Sequence, residues 1–337
     1  MLIRAWTKQE SEMTTFTKLI CVAVLGAASV SGVGIATAAE ACPSKVIKMI
    51  IPNPAGGVGD LIGRVLGEKV GAELGQPVII ENKAGATTMI GTEAVARAKP
   101  DGCTILSLTA SGVVVSVLRE KMPYNLERDF TPIIGVGSFP MVMAVPVASK
   151  LNSFADVVAA AKSKGGIVYA SGGAGTLAHL STVRLLKQVN GTGNHIPYKG
   201  NADAIQGLLG NQVQLFFPST AEGLSLAKSG KVRLLAVTSE QRIPTLPDVP
   251  TMKELGFADF NPRLWYAFLA PANTPANVVR VLQDAFAKAV ADPSVNKRLT
   301  ALGFAPEIKD PAAVSAFMKS EAARWGKVIK DNNIKVD

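Results

Sequence analysis

VIKMIIPNPAGGVGDLIGRVLGEKVGAELG, residues 46–75, changes its backbone period in mid-stretch. VIKMII is a run of mostly apolar β-formers, the pattern of a buried strand, and it stops at Pro52. From Asp60 onward, Ile62, Val65, Leu66, Val70 and Leu74 recur on one face of a helix that Gly75 ends. Between strand and helix, Pro54-Ala55-Gly56-Gly57 is a loop nearly without side chains. Two physical readings compete for it. Glycine lets backbone N–H groups approach a ligand, and the positive end of a helix beginning near Val58–Asp60 favours an anion there. Alternatively the loop is a tight turn, and the Asp60 carboxylate takes the free N–H groups itself. A P-loop is excluded: it needs GxxxxGK followed by Ser or Thr, whereas Gly63-Arg64-Val65 follows Gly59.

The alternation continues outward. PVIIENK (77–83) reads as a strand, residues 91–98 as a short helix and TILSL (104–108) as a strand. That is the β-α-β-α-β order of a parallel, doubly wound sheet. IIGVGSFPMVMAVP (133–146) is extended on both sides of Phe139-Pro140 and reads as a crossing into a second domain. There, helices are expected at 153–163, 176–189, 201–209 and 221–229, and strands at 167–170, 194–197, 213–217 and 232–238. QRIPTLPDVPTM (241–252) is a Pro-rich loop, and LWYAFLAP (264–271) is an extended return. Helices at about 275–291 and 311–331 close the chain. The expected fold class is α/β, with two doubly wound domains joined by two extended crossings and a ligand cleft between them. Residues 40–138 with 266–337 make domain 1, and 139–265 make domain 2.

Residues 1–39 read as a secretory leader rather than as fold. Lys18 precedes the uncharged run LICVAVLGAASVSGVGIA, and small residues follow, with cleavage expected near Ala38-Ala39. Met1–Glu12 is polar for a leader, so translation is expected to start at Met13. Cys21 lies inside the run and lacks the residues that precede a lipidated Cys. Removal of the leader leaves 298 residues and lowers the net charge from +9 to +8. The product is an exported globular protein with a weak bias toward anionic partners. It has no basic run and few interleaved aromatics, which excludes nucleic acid as a partner. Cys42 and Cys103 survive cleavage and open two strands of one sheet. They form either a bridge at its edge or two free thiols.

A second glycine-rich turn, YASGGAGTLAHL (169–180), also follows a strand and opens a helix. Gly173 to Ala178 matches the dinucleotide form G-x-G-x-x-A, but HIPYKG (195–200) supplies no acidic residue at the end of the next strand. What remains is a turn with Ser171 and Thr176 hydroxyls at a helix start, suited to a carboxylate or to simple capping by Thr176. ENKAGATTMIG (81–91) is a third such turn. Catalytic constellations are missing. His179 and His195 are the only histidines, too few for a metal site without a Cys or carboxylate cluster, and each reads as a packed or hydrogen-bonded residue. No G-x-S-x-G elbow occurs, and no cofactor is implied.

In combination, IPNPAGGVGD (51–60), LGQPVIIENKAGA (74–86), AVARAKPDGCTIL (94–106), ASGGAGTLAHL (170–180), IPYKGNADAIQGLLGNQVQLFF (196–217), GKVRLLAVTSEQRIPTLPDVPTMKELGF (230–257), WYAFLAPANTP (265–275) and RWGKVIK (324–330) resemble the Bug, or TctC-like, family of periplasmic solute-binding receptors. These serve tripartite tricarboxylate transport systems. The resemblance implies a type II-like two-domain periplasmic binding protein without catalysis, which closes on a small organic acid, mono- or dicarboxylate, aliphatic or aromatic. It implies ligand contacts at Pro54, Ala55, Gly56 and Gly57 in domain 1 and at Ser171, Gly175 and Thr176 in domain 2. Ala84, Thr87, Thr88 and Met89 would flank the ligand, with Phe217, Pro218 and Ser219 opposite. The chain departs from the family pattern in three places. Asn53 and Ala55 alter a loop that usually reads like PFPPGG; ENKAGATTMIG replaces ENRPGAGGNIG; and Phe217-Pro218 replaces Phe-Asp, removing an acceptor. These changes point to a less polar far end of the ligand. The implied partners are membrane permease subunits or a sensor domain, and the receptor is expected to be a monomer. An orphan sensory receptor is the alternative, and a periplasmic enzyme on the same scaffold is the remote one.

Overall fold

The run at 46–51 becomes β1 (Ile47–Ile51), and the periodic segment after it becomes α1 (Val58–Leu74), closed by Gly75 in the left-handed region at φ 63°. The structure, a computed structural model, describes residues 42–334. The leader, Met13, Cys21 and the expected cleavage near Ala38-Ala39 lie outside the described residues.

β1 pairs in parallel with β2 (Val78–Asn82) on one side and β3 (Thr104–Thr109) on the other. α2 (Met89–Ala96) and α3 (Ala110–Leu118) follow β2 and β3. The rest of this sheet is not parallel. β9 (Arg263–Pro271) runs antiparallel to β3, β4 (Phe130–Pro140) antiparallel to β9, and β10 (Ala305–Lys309) antiparallel to β4. The order is β10-β4-β9-β3-β1-β2, so the three strands read as parallel are parallel, and antiparallel strands extend the sheet on one side. The returning crossing lies down beside β3, and a short strand near the C-terminus pairs on the free edge of β4.

The chain leaves this sheet at Pro140. Beyond it, β5 (Val142–Pro146) pairs with β8 (Val232–Val237), and β6 (Ile167–Ser171) pairs in parallel with β7 (Gly193–Pro197). α4 (Phe154–Lys162), α5 (Leu177–Gln188), α6 (Asn201–Leu209) and α7 (Thr220–Lys228) alternate with them. The expected strand 213–217 is corrected to single bridges, Leu215 to Tyr169 and Phe216 to Ala144. It changes partner within two residues, so it stitches β6 to β5 instead of extending one ladder. α8 (Ala276–Ala291), α9 (Pro293–Thr300) and α10 (Pro311–Asp331) return to the first sheet. One face of that sheet buries Ile47, Met49, Ile51 and Phe268 with Leu66 and Phe286 of α1 and α8. The opposite face buries Leu106 and Leu108 with Val113 of α3 and Trp325 of α10, and this core continues into Met143 and Ile167 beyond the crossing.

Two local bonds fix the frame. Cys42 and Cys103 form a disulfide with their Cα atoms 4.8 Å apart, tying the entries of the neighbouring strands β1 and β3. At the crossings, the Thr238 hydroxyl accepts the Met141 N–H at 2.8 Å and donates to the Pro262 carbonyl at 2.6 Å, while the Thr238 N–H donates to the Met141 carbonyl. Thr238 is buried. Thr238→Val keeps the shape and orphans a buried N–H and a carbonyl. It is expected to cost about 2–3 kcal/mol in urea unfolding. Replacing both Cys42 and Cys103 by Ser opens a loop between positions 61 apart in sequence. The expected loss is on the order of 4 kcal/mol, and a thiol titration of the denatured, unreduced parent without residues 1–39 should find no free group.

Candidate functional site

Parallel strands bring their C-terminal ends to one edge, and the helices after them start there. α1 enters through residues 52–57, α2 through 83–88, and α3 directly from β3. In the second sheet region, α5 follows β6, α6 follows β7 and α7 follows the stitched segment. The N-caps of α1, α2, α3, α5 and α6 are Gly57, Thr88, Thr109, Thr176 and Gly200, and none makes a side-chain capping bond. Helices elsewhere are capped by Ser153, Asp292 and Asp310. Two helices break the pattern: Ser219 caps α7, and α8 has no side-chain cap behind Pro275. First-turn N–H groups without a side-chain partner must find water or a ligand, and aligned peptide dipoles make that ligand an anion.

The reading of Asp60 as an acceptor for the first loop holds in part. The Gly56 N–H donates to Asp60 Oδ2 at 2.9 Å, so Asp60 does satisfy one loop amide. It does not cap α1, whose first-turn amides stay open. Burial pushes the Asp60 carboxyl upward, but Arg64, the Gly56 N–H and Asn82 outweigh it and hold the group below the usual carboxylate range. Arg64 Nε donates to the same Oδ2 at 3.0 Å. Asn82 Nδ2 donates to the Asn53 carbonyl at 3.1 Å, joining this loop to the next.

That next loop is strained. Gly85, Ala86, Thr87 and Thr88 have φ of 135°, 46°, 51° and 77°. Three consecutive residues with Cβ atoms in the left-handed region are costly, and the glycines of the family pattern would adopt it freely. Thr88 is buried, and its hydroxyl has no partner. Ala84 is exposed, and Thr87 and Met89 are half-buried.

The loop of the second region rests on an aromatic stack. His179 and His195 lie face to face with ring centres 3.9 Å apart and planes 6° apart, and Tyr169 continues the stack beside His195. Ser171 Oγ lies 2.7 Å from His195 Nε2 and bonds both ends of Gly173. His179 Nδ1 accepts the Gly175 N–H at 3.1 Å. The Thr176 hydroxyl donates to the Gly173 carbonyl and so does not cap α5. Ser171, Gly175 and Thr176 therefore form one self-bonded loop, and its shape depends on the two histidines, which the sequence marks as packed or hydrogen-bonded residues.

Phe217 and Pro218 are buried, with Phe217 against Phe260. The Ser219 hydroxyl is committed to a capping box with Glu222. These three residues stand behind the surface. The side chain from this segment that keeps exposure near the crossing is Glu222, which sequence reasoning missed. Its Oε1 accepts from Asn201 Nδ2 at 3.0 Å, and its negative charge adds to burial in pushing the Tyr266 phenol upward. A Cβ at Gly59 would lie 3.5 Å from the Tyr266 ring, and one at Gly172 would collide with Asn201. Glu222 and Asn201 thus join the starts of α7 and α6, with Gly172 packed against Asn201, while Gly59 packs near Tyr266. The Ser-x-x-Glu spacing of a capping box was the available signal for Glu222. Among the described residues, no group of three His, Cys, Asp or Glu could hold a metal ion.

A family model described as the tripartite tricarboxylate transporter family receptor matches residues 62–334. Protein BugT of Bordetella pertussis is 33% identical over 310 residues, spanning 91% of this chain and 95% of that protein. The solved periplasmic binding protein BugD is 34% identical with a TM-score of 0.78, covering 86% of this chain and 98% of BugD. The structure of R. palustris Rpa4515 with adipate is 27% identical with a TM-score of 0.81, covering 87% and 99%. These likenesses establish the two-domain binding-protein fold, with its α/β sheet regions joined at two crossings.

The histidine stack makes stability depend on pH. Burial pushes both imidazoles down to about 4, with a further contribution from His195 in the case of His179. The unfolded chain takes up those protons near the ordinary value of 6.5, before the folded chain does. The stability carried by the pair is complete above about 6.5 and is lost as the pH falls toward about 4. The urea midpoint should fall between about pH 7 and about pH 5. The double variant His179→Asn, His195→Gln should flatten that slope, and an unchanged slope would assign it elsewhere.

Proposed function

The chain belongs to the tripartite tricarboxylate transporter receptor family, and from that premise we propose that it is a periplasmic receptor that captures a small organic carboxylate by domain closure and presents it to membrane permease subunits. The observation that carries the reading is the row of helix starts without side-chain caps at strand ends on both sides of the crossings. The ligand carboxylate is assigned to the first-turn amides of α1 beside Pro54–Gly57 and of α5 beside Ser171, Gly175 and Thr176. The strained loop with Ala84, Thr87, Thr88 and Met89 flanks it. Residues 40–138 with 266–337 move as one body and 139–265 as the other. The protein acts as a monomer without catalysis, after removal of a leader near Ala38-Ala39. A relative crystallised with adipate supports a carboxylate as the ligand class.

The energetics are adequate. Burying a carboxylate costs several kcal/mol after relaxation, and about four charge-assisted hydrogen bonds at roughly 1.5–3 kcal/mol each offset that. A ligand bound to both bodies favours the closed state and shifts the population toward it.

Gly57 and Thr176 have extended backbone angles that accept any residue, and a Cβ at Gly57 has room. Gly57→Asp and Thr176→Asp would place a carboxylate on the amides assigned to the ligand. Gly57→Asp is expected to melt at or slightly above the parent temperature, because Asp is a good cap, whereas Thr176→Asp also gives up the hydroxyl's bond to the Gly173 carbonyl and should melt slightly below it. Each should bind carboxylates about 10–100-fold more weakly, the loss of one or two such bonds. Denaturing mass spectrometry of purified protein should identify any retained acid. The unfolded and refolded protein is then screened by thermal shift against aliphatic and aromatic acids. A shift from neutral solutes alone would end the carboxylate reading.

A further inference from the structure

Two tryptophans on different elements meet on one carboxylate oxygen. Trp265 Nε1, from β9 where the returning crossing enters the first sheet, and Trp325 Nε1, from α10, each donate to Glu321 Oε2 at 3.1 Å. Arg324 Nη1 donates to Oε1 of the same carboxylate at 3.4 Å, and Arg324 Nη2 donates to Asn261 Oδ1 at 2.6 Å. Trp265, Trp325 and Glu321 are all buried. α10 therefore holds the returning crossing at two points, Asn261 and Trp265. The same segment is held from the second sheet region. Arg184 of α5 donates to the Asp259 carbonyl at 2.7 Å, and its guanidinium lies 5.6 Å from the centre of the Phe260 ring. α5 begins at the loop with Ser171, Gly175 and Thr176, so one helix carries the second loop at its start and a hold on the crossing toward its end. Trp265 also lines a cavity of about 60 Å³ with Gly135, Gly137 and Ser138 of β4 and Phe317 of α10. That cavity lies at the Gly135/Gly137 register shift of the ribbon.

Burying a carboxylate is costly, and a neutral acceptor would satisfy an indole N–H at lower cost. What the carboxylate adds is definition: one oxygen that takes donors from a strand and from a helix fixes the separation of the two. We propose that Glu321 is the positioning residue of the hinge, pinning Trp265 of the returning crossing to α10 so that the second sheet region turns about this point. On one side of the Trp265 backbone the clasp holds; next to it the cavity at the register shift gives the ribbon room to bend. Motion is thereby confined to one place, and the loops on the two sides of the crossings meet in a defined register. The proposal deepens the receptor reading, on which domain closure itself rests, and makes no use of the chemistry of the ligand.

Hydrogen exchange read by mass spectrometry tests it, comparing the amides of residues 138–141 and 260–266 with those of β1 and β2 as the reference. Glu321→Gln keeps the size of the side chain and removes its charge. Trp265→Phe keeps an aromatic ring and removes the indole N–H. Each is expected to speed exchange at the crossings about tenfold, the effect of one charge-assisted bond, and to leave the reference amides at the parental rate. The double variant should exchange no faster than Glu321→Gln alone, because both changes remove the same bond. Equal acceleration in β1 and β2 would mean that Glu321 only holds the fold together, and it overturns the proposal. So does unchanged exchange at the crossings, or a double variant accelerated by the product of the two single effects. Trp265→Phe carries the comparison alone if Glu321→Gln does not fold. No ligand enters the measurement, so its failure leaves the receptor reading standing, and a carboxylate screen without a hit leaves this result untouched.

Discussion

Everything that distinguishes this molecule from a single sheet passes through the side-by-side crossings, and the Thr238 hydroxyl joins them. One oxygen accepts from Met141 on the outgoing strand and donates to Pro262 on the returning one. Below it, β4 and β9 pair from Phe130↔Pro271 to Pro140↔Arg263, with register shifts at Pro132/Ile134 and Gly135/Gly137. A continuous antiparallel ribbon resists shear along its length, because sliding one strand breaks every bond at once. Its softer motions are bending and twisting, and bulges are where a ribbon bends. A two-strand connection of this kind restricts relative motion of the two sheet regions to hinging, which keeps the loops on either side in register with one another.

That restriction matters because the candidate site is made of backbone. Side chains can turn to meet a ligand; peptide N–H groups cannot, so their position depends on the elements that carry them. Each glycine-rich loop secures its own shape by giving one amide away. Gly56 donates to Asp60, and Gly175 donates to His179. In both cases the acceptor lies four residues downstream, inside the helix that the loop enters. The loop is thereby fastened to its helix, and the helix's own first-turn amides are left free. Asp60 thus takes the loop amide and leaves its helix without a side-chain cap.

Much of the fold was legible because it rests on period and punctuation. The helix at 58–74, its glycine stop and the two crossings follow from apolar spacing and from Pro and Gly. What escaped was set by tertiary context. Ala110–Leu118 is rich in valine, a weak helix former, and becomes helical because Val113, Val114 and Val115 are buried between sheet and α10. β10 alternates poorly, and it exists because the edge of β4 needs a partner. The antiparallel pairing of β9, β4 and β10 escaped too, since strand direction is invisible to local pattern. At the site, the loops and the histidines were found, but the dependence of one on the other was not. His179 and His195 are 16 residues apart in sequence and 3.9 Å apart in space.

The histidine stack also limits how the second loop can change. The Gly175 N–H needs an unprotonated acceptor, so His179 must keep its Nδ1 lone pair and stay neutral. A neutral imidazole packs against a second ring at van der Waals distance, whereas two charged rings at that distance would repel each other strongly. The buried environment that makes the stack possible therefore also fixes the protonation state that the loop requires. A polar substitution in the stack would admit water, raise the tendency of His179 to protonate, and release the Gly175 amide from its acceptor. Loop shape, histidine charge and burial of Tyr169 form a single coupled arrangement. The carboxylate assigned to α5 meets a preorganised surface only while all three hold.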